Sequence, residues 1–292
     1  MSCNPRSPGL HTTAFQTIDS PNFPAALNPR SAFAFLALSV CAIAEPEWKA
    51  DVSSPAFGSH PRLDPISLDY QMSWKGVLNS GHFHLEFSAP WDRKPGVYIV
   101  KAHGDSQGAA AAIHPYHYNS WSELNPSTLM PRQVRTAETD KNGGDVSEIR
   151  YFANRVDTET TVRSADTGKS KIVNRSFAHP AVFDIFSAML YIRSQPLAKD
   201  DRINLVIQSG DQPYLLKIRC LGRETHEGQK TIKLAAGMRK IDRDTLELKD
   251  YKKLKNDATL WLSDDNDRIP LEMRADIFWG DVRAVLTSRK KL

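Results

Sequence analysis

The patterning of this chain predicts a mainly β fold, a curved antiparallel sheet or open β-barrel with one central amphipathic helix. Three observations carry that expectation. Past residue 65, apolar and polar residues alternate in segment after segment; turns rich in Gly, Asn and Asp separate the segments; and a spacing of three and four occurs once. Alternation marks a half-buried strand, because successive side chains point to opposite faces of a sheet. A doubly wound α/β fold would need a helix after nearly every strand, and that rhythm is missing.

Residues 1–44 read as a leader. Ala32 to Ala44 is an apolar block with Arg30 upstream and Ala42-Ile43-Ala44 at its end. These are the parts of a secretory signal peptide, with cleavage expected after Ala44 and the mature protein in the periplasm. The block is shorter than the roughly 20 residues of a spanning helix, so no transmembrane span is expected. Met1 to Arg30 is then either an extended leading region or sequence upstream of the true start. Cys3 and Cys41 leave with this leader, and Cys220 alone closes no intramolecular disulfide, so the fold must rest on its core.

Residues 45–65, with Pro46, Pro55, Pro61 and Pro65, read as an extended lead-in, and residues 66–292 as a single β-rich domain. Leu68, Tyr70, Met72 and Trp74 alternate with polar neighbours, as do Phe83, Leu85 and Phe87. Val97 to Ala102 follows a Lys94-Pro95-Gly96 turn. Asn142-Gly143-Gly144 and Asp166-Thr167-Gly168 punctuate a charged, Thr-rich run that suits solvent-facing hairpins. Then Val182, Ile185, Phe186, Met189, Leu190 and Arg193 fall on one helical face, predicting a helix from Ala181 to Arg193 with Pro180 near its first turn and Asp184 early. Alternation returns at Ile203/Leu205/Ile207, Tyr214/Leu216/Ile218/Cys220, Ile232/Leu234 and Leu271/Met273/Ala275/Ile277. Cys220 keeps step with Leu216 and Ile218, so it packs inward as a small hydrophobe.

Charge excludes one class of partner. The net charge is +4, from 38 basic and 34 acidic residues. The charged run from Gly237 to Asp257 has Tyr251 as its one aromatic, so it lacks the stacking groups of a nucleic-acid surface and reads as a solvated loop. No phosphate-cradling glycine loop or Cys/His zinc spacing appears, and no cofactor is expected.

Three motifs bear on chemistry. Gly104-Asp105-Ser106-Gln107-Gly108 matches the G-x-S-x-G elbow that presents a nucleophilic serine between a strand and a helix. Pro115 would end that helix after about two turns, and no parallel sheet supports the elbow. His82 and His84 share one face of a strand, a spacing that can chelate a metal ion. Glu86 lies on the same face but too far along to join both, and His103, His114 and His117 are unplaced by sequence. Ser263-Asp264-Asp265-Asn266-Asp267-Arg268 lacks the glycine and closing glutamate of a calcium loop and reads as a hairpin turn.

Taken together, several stretches resemble the bacterial exported family of unknown function DUF3108. They are Leu68-x-Tyr70-x-Met72-x-Trp74-x-Gly76, the Asp184 to Arg193 helix, Gly222-x-Glu224, Leu260-Trp261-Leu262-Ser263-Asp264-Asp265 with Arg268-Ile269-Pro270, and Gly280-x-Val282-x-x-x-Leu286. One departure is Lys199-Asp200-Asp201, where the family tends to carry a glycine in the turn after the helix. The resemblance implies export and a curved β-sheet, and it brings no catalytic residues. The expectation is therefore a non-enzymatic cell-envelope protein. Its concave face, lined by Tyr70, Trp74, Phe83, Leu85 and Met189, either forms a plain core or holds an elongated apolar or glycan ligand. The alternative is a serine hydrolase acting through Ser106.

Overall fold

Alternating patterns become strands in the computed structural model, which describes residues 45–292 except 77, 89–95, 253 and 278–279. The leader, the Lys94-Pro95 half of one expected turn, and Lys253 within the charged run lie outside the described residues. The described strands form one sheet of 15 strands in a mainly β fold, antiparallel in every ladder between them. Its first half runs β1 (Ile66–Trp74), β2 (Leu78–Phe87), β3 (Tyr98–Ser106), β4 (Tyr116–Leu124), β5 (Pro131–Asp140), β6 (Gly143–Tyr151), β7 (Arg155–Ser164) and β8 (Ser170–Ala178). A six-residue helix, α1 (Gly108–Ile113), links β3 to β4 and stops just before Pro115.

After helix α2 (Ile185–Ser194) comes the second half. It runs β9 (Arg202–Ser209), β10 (Gln212–His226), β11 (Gln229–Ile241), the short β12 (Leu248–Asp250), β13 (Ala258–Ser263), β14 (Pro270–Ile277) and β15 (Gly280–Lys291). β15 returns to pair with β1, Ile66 opposite Lys291, so a single seam joins the two halves. The strand order is 8-7-6-5-4-3-2-1-15-14-13-11-10-9, with β12 beside β11.

The sheet rolls up like a scroll. On one face of β9 to β11, Leu205, Ile207, Leu216, Ile218, Ile232 and Leu234 pack with Ala188, Tyr191 and Ile192 of α2. On the opposite face, Val206, Leu215 and Ile241 pack with Val134, Ile149, Val156 and Phe177 of β5 to β8. The β9 end is thus tucked beneath the β8 end and buried on both sides, which explains the near-continuous apolar run from Leu205 to Ile207.

Two sequence expectations need correction. The helix starts at Ile185, not Ala181. Ala181 adopts a left-handed φ of 53°, and Phe183 instead adds to the free edge of β9, donating its N–H to Val206 O (2.9 Å) and accepting from Gln208 N (2.8 Å). Asp184 is the N-cap: its carboxylate accepts from Ser187 N at 2.5 Å while Ser187 Oγ accepts from Asp184 N at 2.9 Å, satisfying two amides that an uncapped helix would leave unpaired. The charged run is also not all loop. β11 continues through Ile241 because Tyr214 to Lys217 of β10 supply a backbone ladder opposite Gly237 to Lys240, and polar side chains do not prevent that pairing.

Candidate functional site

A cavity of about 790 Å³ lies between α2 and the concave face of the sheet. Each wall follows from strand alternation. Tyr70, Phe83 and Leu85 come from β1 and β2, Leu216, Ile218, Met238 and Leu260 from β10, β11 and β13, and Ile185, Met189 and Ile192 from one side of α2. Such a volume falls in the range of roughly 300–1,000 Å³ typical of small-molecule sites. One end is the rim, where Ser106, Tyr116, Glu138 and Ser209 sit at or near strand ends and Tyr251 and Leu254 come from the segment between β12 and β13. Ile185, the first residue of α2, also lines the cavity and is half-exposed.

The other end of α2 is clamped. Arg193, almost wholly buried, donates to three backbone carbonyls, those of Pro61 (2.8 Å), Asn266 (2.8 Å) and Asp267 (2.7 Å). Burial lowers its pKa to about 10, which leaves it charged at neutral pH. Arg268 reaches back to the carbonyls of Arg193 and Gln195, capping the helix C-terminus. The Ser263 to Arg268 segment is the expected hairpin turn, held by Asp265, which accepts from Ser263 Oγ, Asp267 N and Arg268 N.

Of the five residues expected on a ligand-facing surface, Tyr70, Phe83, Leu85 and Met189 line the cavity. Trp74 does not. The β1–β2 register shifts between Met72 and Ser73, and Trp74 stands 40% exposed at the strand end beside Lys75. Tyr70 and Tyr118 supply phenol groups within the apolar wall. The Tyr70 hydroxyl donates to Pro270 O at 3.0 Å, and Tyr118 stacks on Phe83 with ring centroids 6.2 Å apart.

Ser106 ends an antiparallel strand, not the parallel strand of a nucleophile elbow. Its Oγ accepts from Tyr116 N at 2.9 Å, and among the described residues no histidine bonds to it. The neighbouring Asp105 side chain leaves on the opposite face of the sheet and gathers His103 and His117, so these two imidazoles serve that carboxylate. Burial opposes ionisation of Asp105, but hydrogen bonds and charge from the two imidazoles outweigh it and hold the carboxyl below its ordinary range.

His82 and His84 share the outer face as expected, and a residue of the adjacent strand meets them. Asp69 Oδ1 lies 2.6 Å from His84 Nδ1 and 3.4 Å from His82 Nε2, while Glu86 stands 3.3 Å from His84 Nε2. Burial pulls the His84 pKa down, and the bonds to Asp69 and Glu86 more than reverse this, so the net shift is upward. Among the described residues no three His, Cys, Asp or Glu side chains are arranged to hold a metal ion. The outer face is a histidine–carboxylate ladder. Cys220 is buried in the α2-facing core, its thiol directed to Leu197 O at 3.2 Å and pushed up in pKa by burial.

The model of the family described as "Protein of unknown function (DUF3108)" matches residues 69–287. The chain belongs to DUF3108. No curated protein matches it. Among solved structures this DUF3108 chain is similar to the crystal structure of a β-barrel-like protein of the domain of unknown function DUF1849 from Brucella abortus. The TM-score is 0.51 at 9% identity, covering 80% of this chain and 99% of the other. That likeness shows a shared fold alone. No helix among the described residues of the DUF3108 chain is long and apolar enough to cross a membrane.

Sequence reading missed most of the DUF3108 cavity wall. Leu216 and Ile218 are legible as inward-facing, but only the roll of the sheet brings them, with Leu260, into one cavity wall with Phe83 and Leu85. The rim residues Tyr116, Glu138 and Ser209 carry no local signal, since they meet only where separate strand ends converge.

Proposed function

We propose that this DUF3108 protein is a non-enzymatic, exported cell-envelope protein that holds an elongated apolar molecule between α2 and the sheet. The observation that carries the reading is the 790 Å³ cavity itself, walled by Leu, Ile, Met and Phe side chains where a plain core would be filled. The cavity opens at its rim, so a molecule can enter from solvent, and an apolar tail laid along the wall removes both surfaces from water. A glycan would need polar partners along its length, and the wall between the phenols of Tyr70 and Tyr118 offers few. Export rests on the leader pattern at Arg30 to Ala44.

The test is binding of N-phenyl-1-naphthylamine, an uncharged apolar reporter whose fluorescence rises on leaving water. Wild-type protein should bind it saturably at one site. Met238→Trp, which pushes an indole into the cavity from β11, should weaken binding by about tenfold or more while unfolding within a few degrees of wild type. Absence of saturable binding to the wild-type protein overturns the proposal.

A further inference from the structure

Resting on that reading, we infer that the cavity takes an amphiphile whose polar end is uncharged and hydroxylated, and that it selects against anionic amphiphiles such as fatty acids. Amphiphile recognition has two parts: the tail needs apolar wall, and the head needs a partner at the rim. Here the tail is served by the wall already described. The head meets a rim with an unusual ionic balance. Among the described residues lining the cavity there is no lysine and no arginine, the two carboxylates are those of Asp105 and Glu138, and the one histidine, His82, has its Nε2 3.4 Å from Asp69 on the outer face. The Asp105 side chain is committed to His103 and His117 on the outer face, which leaves Glu138 as the ionic group at the opening.

Glu138 accepts from the Tyr116 hydroxyl at 3.1 Å, and Tyr116 is tied through its amide to Ser106 Oγ. Burial, followed by the charge of Glu138, raises the Tyr116 pKa, so the phenol remains a neutral donor. The rim thus carries two separate hydroxyls, those of Ser106 and Tyr116, and beside the phenol a carboxylate with spare acceptor capacity. A carboxylate head placed there meets the like charge of Glu138 and, among the described lining residues, no lysine or arginine. A hydroxyl head can donate to Glu138 and exchange hydrogen bonds with Ser106. A cationic head gains little extra, because an ion pair with one exposed carboxylate is worth at most about 1 kcal/mol.

Three competitors with the same oleyl-length tail separate the cases: 1-monooleoylglycerol, oleate and oleylamine, each displacing N-phenyl-1-naphthylamine from wild-type protein at pH 8 below its aggregation threshold. Monooleoylglycerol should displace the reporter about three- to tenfold more tightly than oleate, with oleylamine within about tenfold of monooleoylglycerol. Glu138→Gln should narrow the oleate deficit by several-fold, and Glu138→Lys should abolish or invert it. Equal displacement by oleate and monooleoylglycerol, or a deficit unchanged in both variants, overturns this inference and leaves apolar binding standing. Oleylamine binding more than about tenfold tighter than monooleoylglycerol overturns it in favour of a cationic ligand. Failure of the reporter itself to bind wild type overturns the cavity reading and this inference with it.

Discussion

At the scale of single residues, Asp184 shows how a cap can also carry a liability. It is almost fully buried, and its carboxylate serves Ser122 Oγ as well as the first turn of α2. Burial raises its pKa, and the hydrogen bonds from Ser122 and Ser187 only partly offset this. A carboxyl whose folded pKa lies above its unfolded value binds its proton more tightly when folded. Stability therefore falls as pH rises from the ordinary carboxylate value of about 4 up to the folded value, and stays lower beyond it. Asp184→Asn keeps the capping oxygen and removes that slope, so its stability relative to wild type should improve between pH 4 and pH 7 in urea unfolding. Asp184→Ala should lose about 1–2 kcal/mol at both pH values. An Asn variant that loses stability relative to wild type on going from pH 4 to pH 7 would show instead that the ionised form is favoured. Sequence made Asp184 recognisable as an early helical acid; its burial against Ser122 of β4 depends on a contact 62 positions away and has no local signature.

Secondary elements carry the next lesson. Period-two patterns located β1, β2, β9, β10 and β14 because half-burial writes itself into alternate residues. The same rule hid the role of β9, whose Val206 looks like one more residue in an apolar run. In the structure Leu205 and Val206 are both fully buried, facing α2 and the outer roll respectively. Leu205→Ala should cost about 2–5 kcal/mol through the cavity it leaves. Val206→Thr, nearly isosteric, should cost about 1–3 kcal/mol because a hydroxyl is buried without water. Were β9 an ordinary edge strand with one wet face, the threonine change would be close to neutral in chemical denaturation. Helix α2 was legible as an amphipathic segment, but its start was not. Nothing in Ala181 to Phe183 announces that these residues leave the helix to pair with an edge strand.

The whole molecule is a sheet with unequal ends. β8 exposes most of its residues, whereas β9, at the other end of the strand order, lies inside the roll and is paired by Phe183. Amide hydrogen exchange should follow this asymmetry: β9 and β10 protected to the level of global unfolding, and Ser170 to Asn174 of β8 exchanging through local opening. Equal protection at both ends would mean the β8 end is held by something other than the contacts through Phe177 and Val156. Curvature was foreseeable from the shortage of helices. The overlap was not, since the strand order that produces it is set by pairings far apart in sequence.

The seam between β1 and β15 has a consequence for synthesis. Most neighbouring strands elsewhere are also neighbours in sequence, so hairpins can close as the chain emerges. Ile66 to Trp74 pairs on one edge with β2, but its other edge waits for Gly280–Lys291, on the far side of every other strand in the chain. Until Lys291 is released, the molecule consists of two unjoined panels, each with an open flank in what will become its middle. A nascent chain in that condition joins its two panels only once β15 docks on β1.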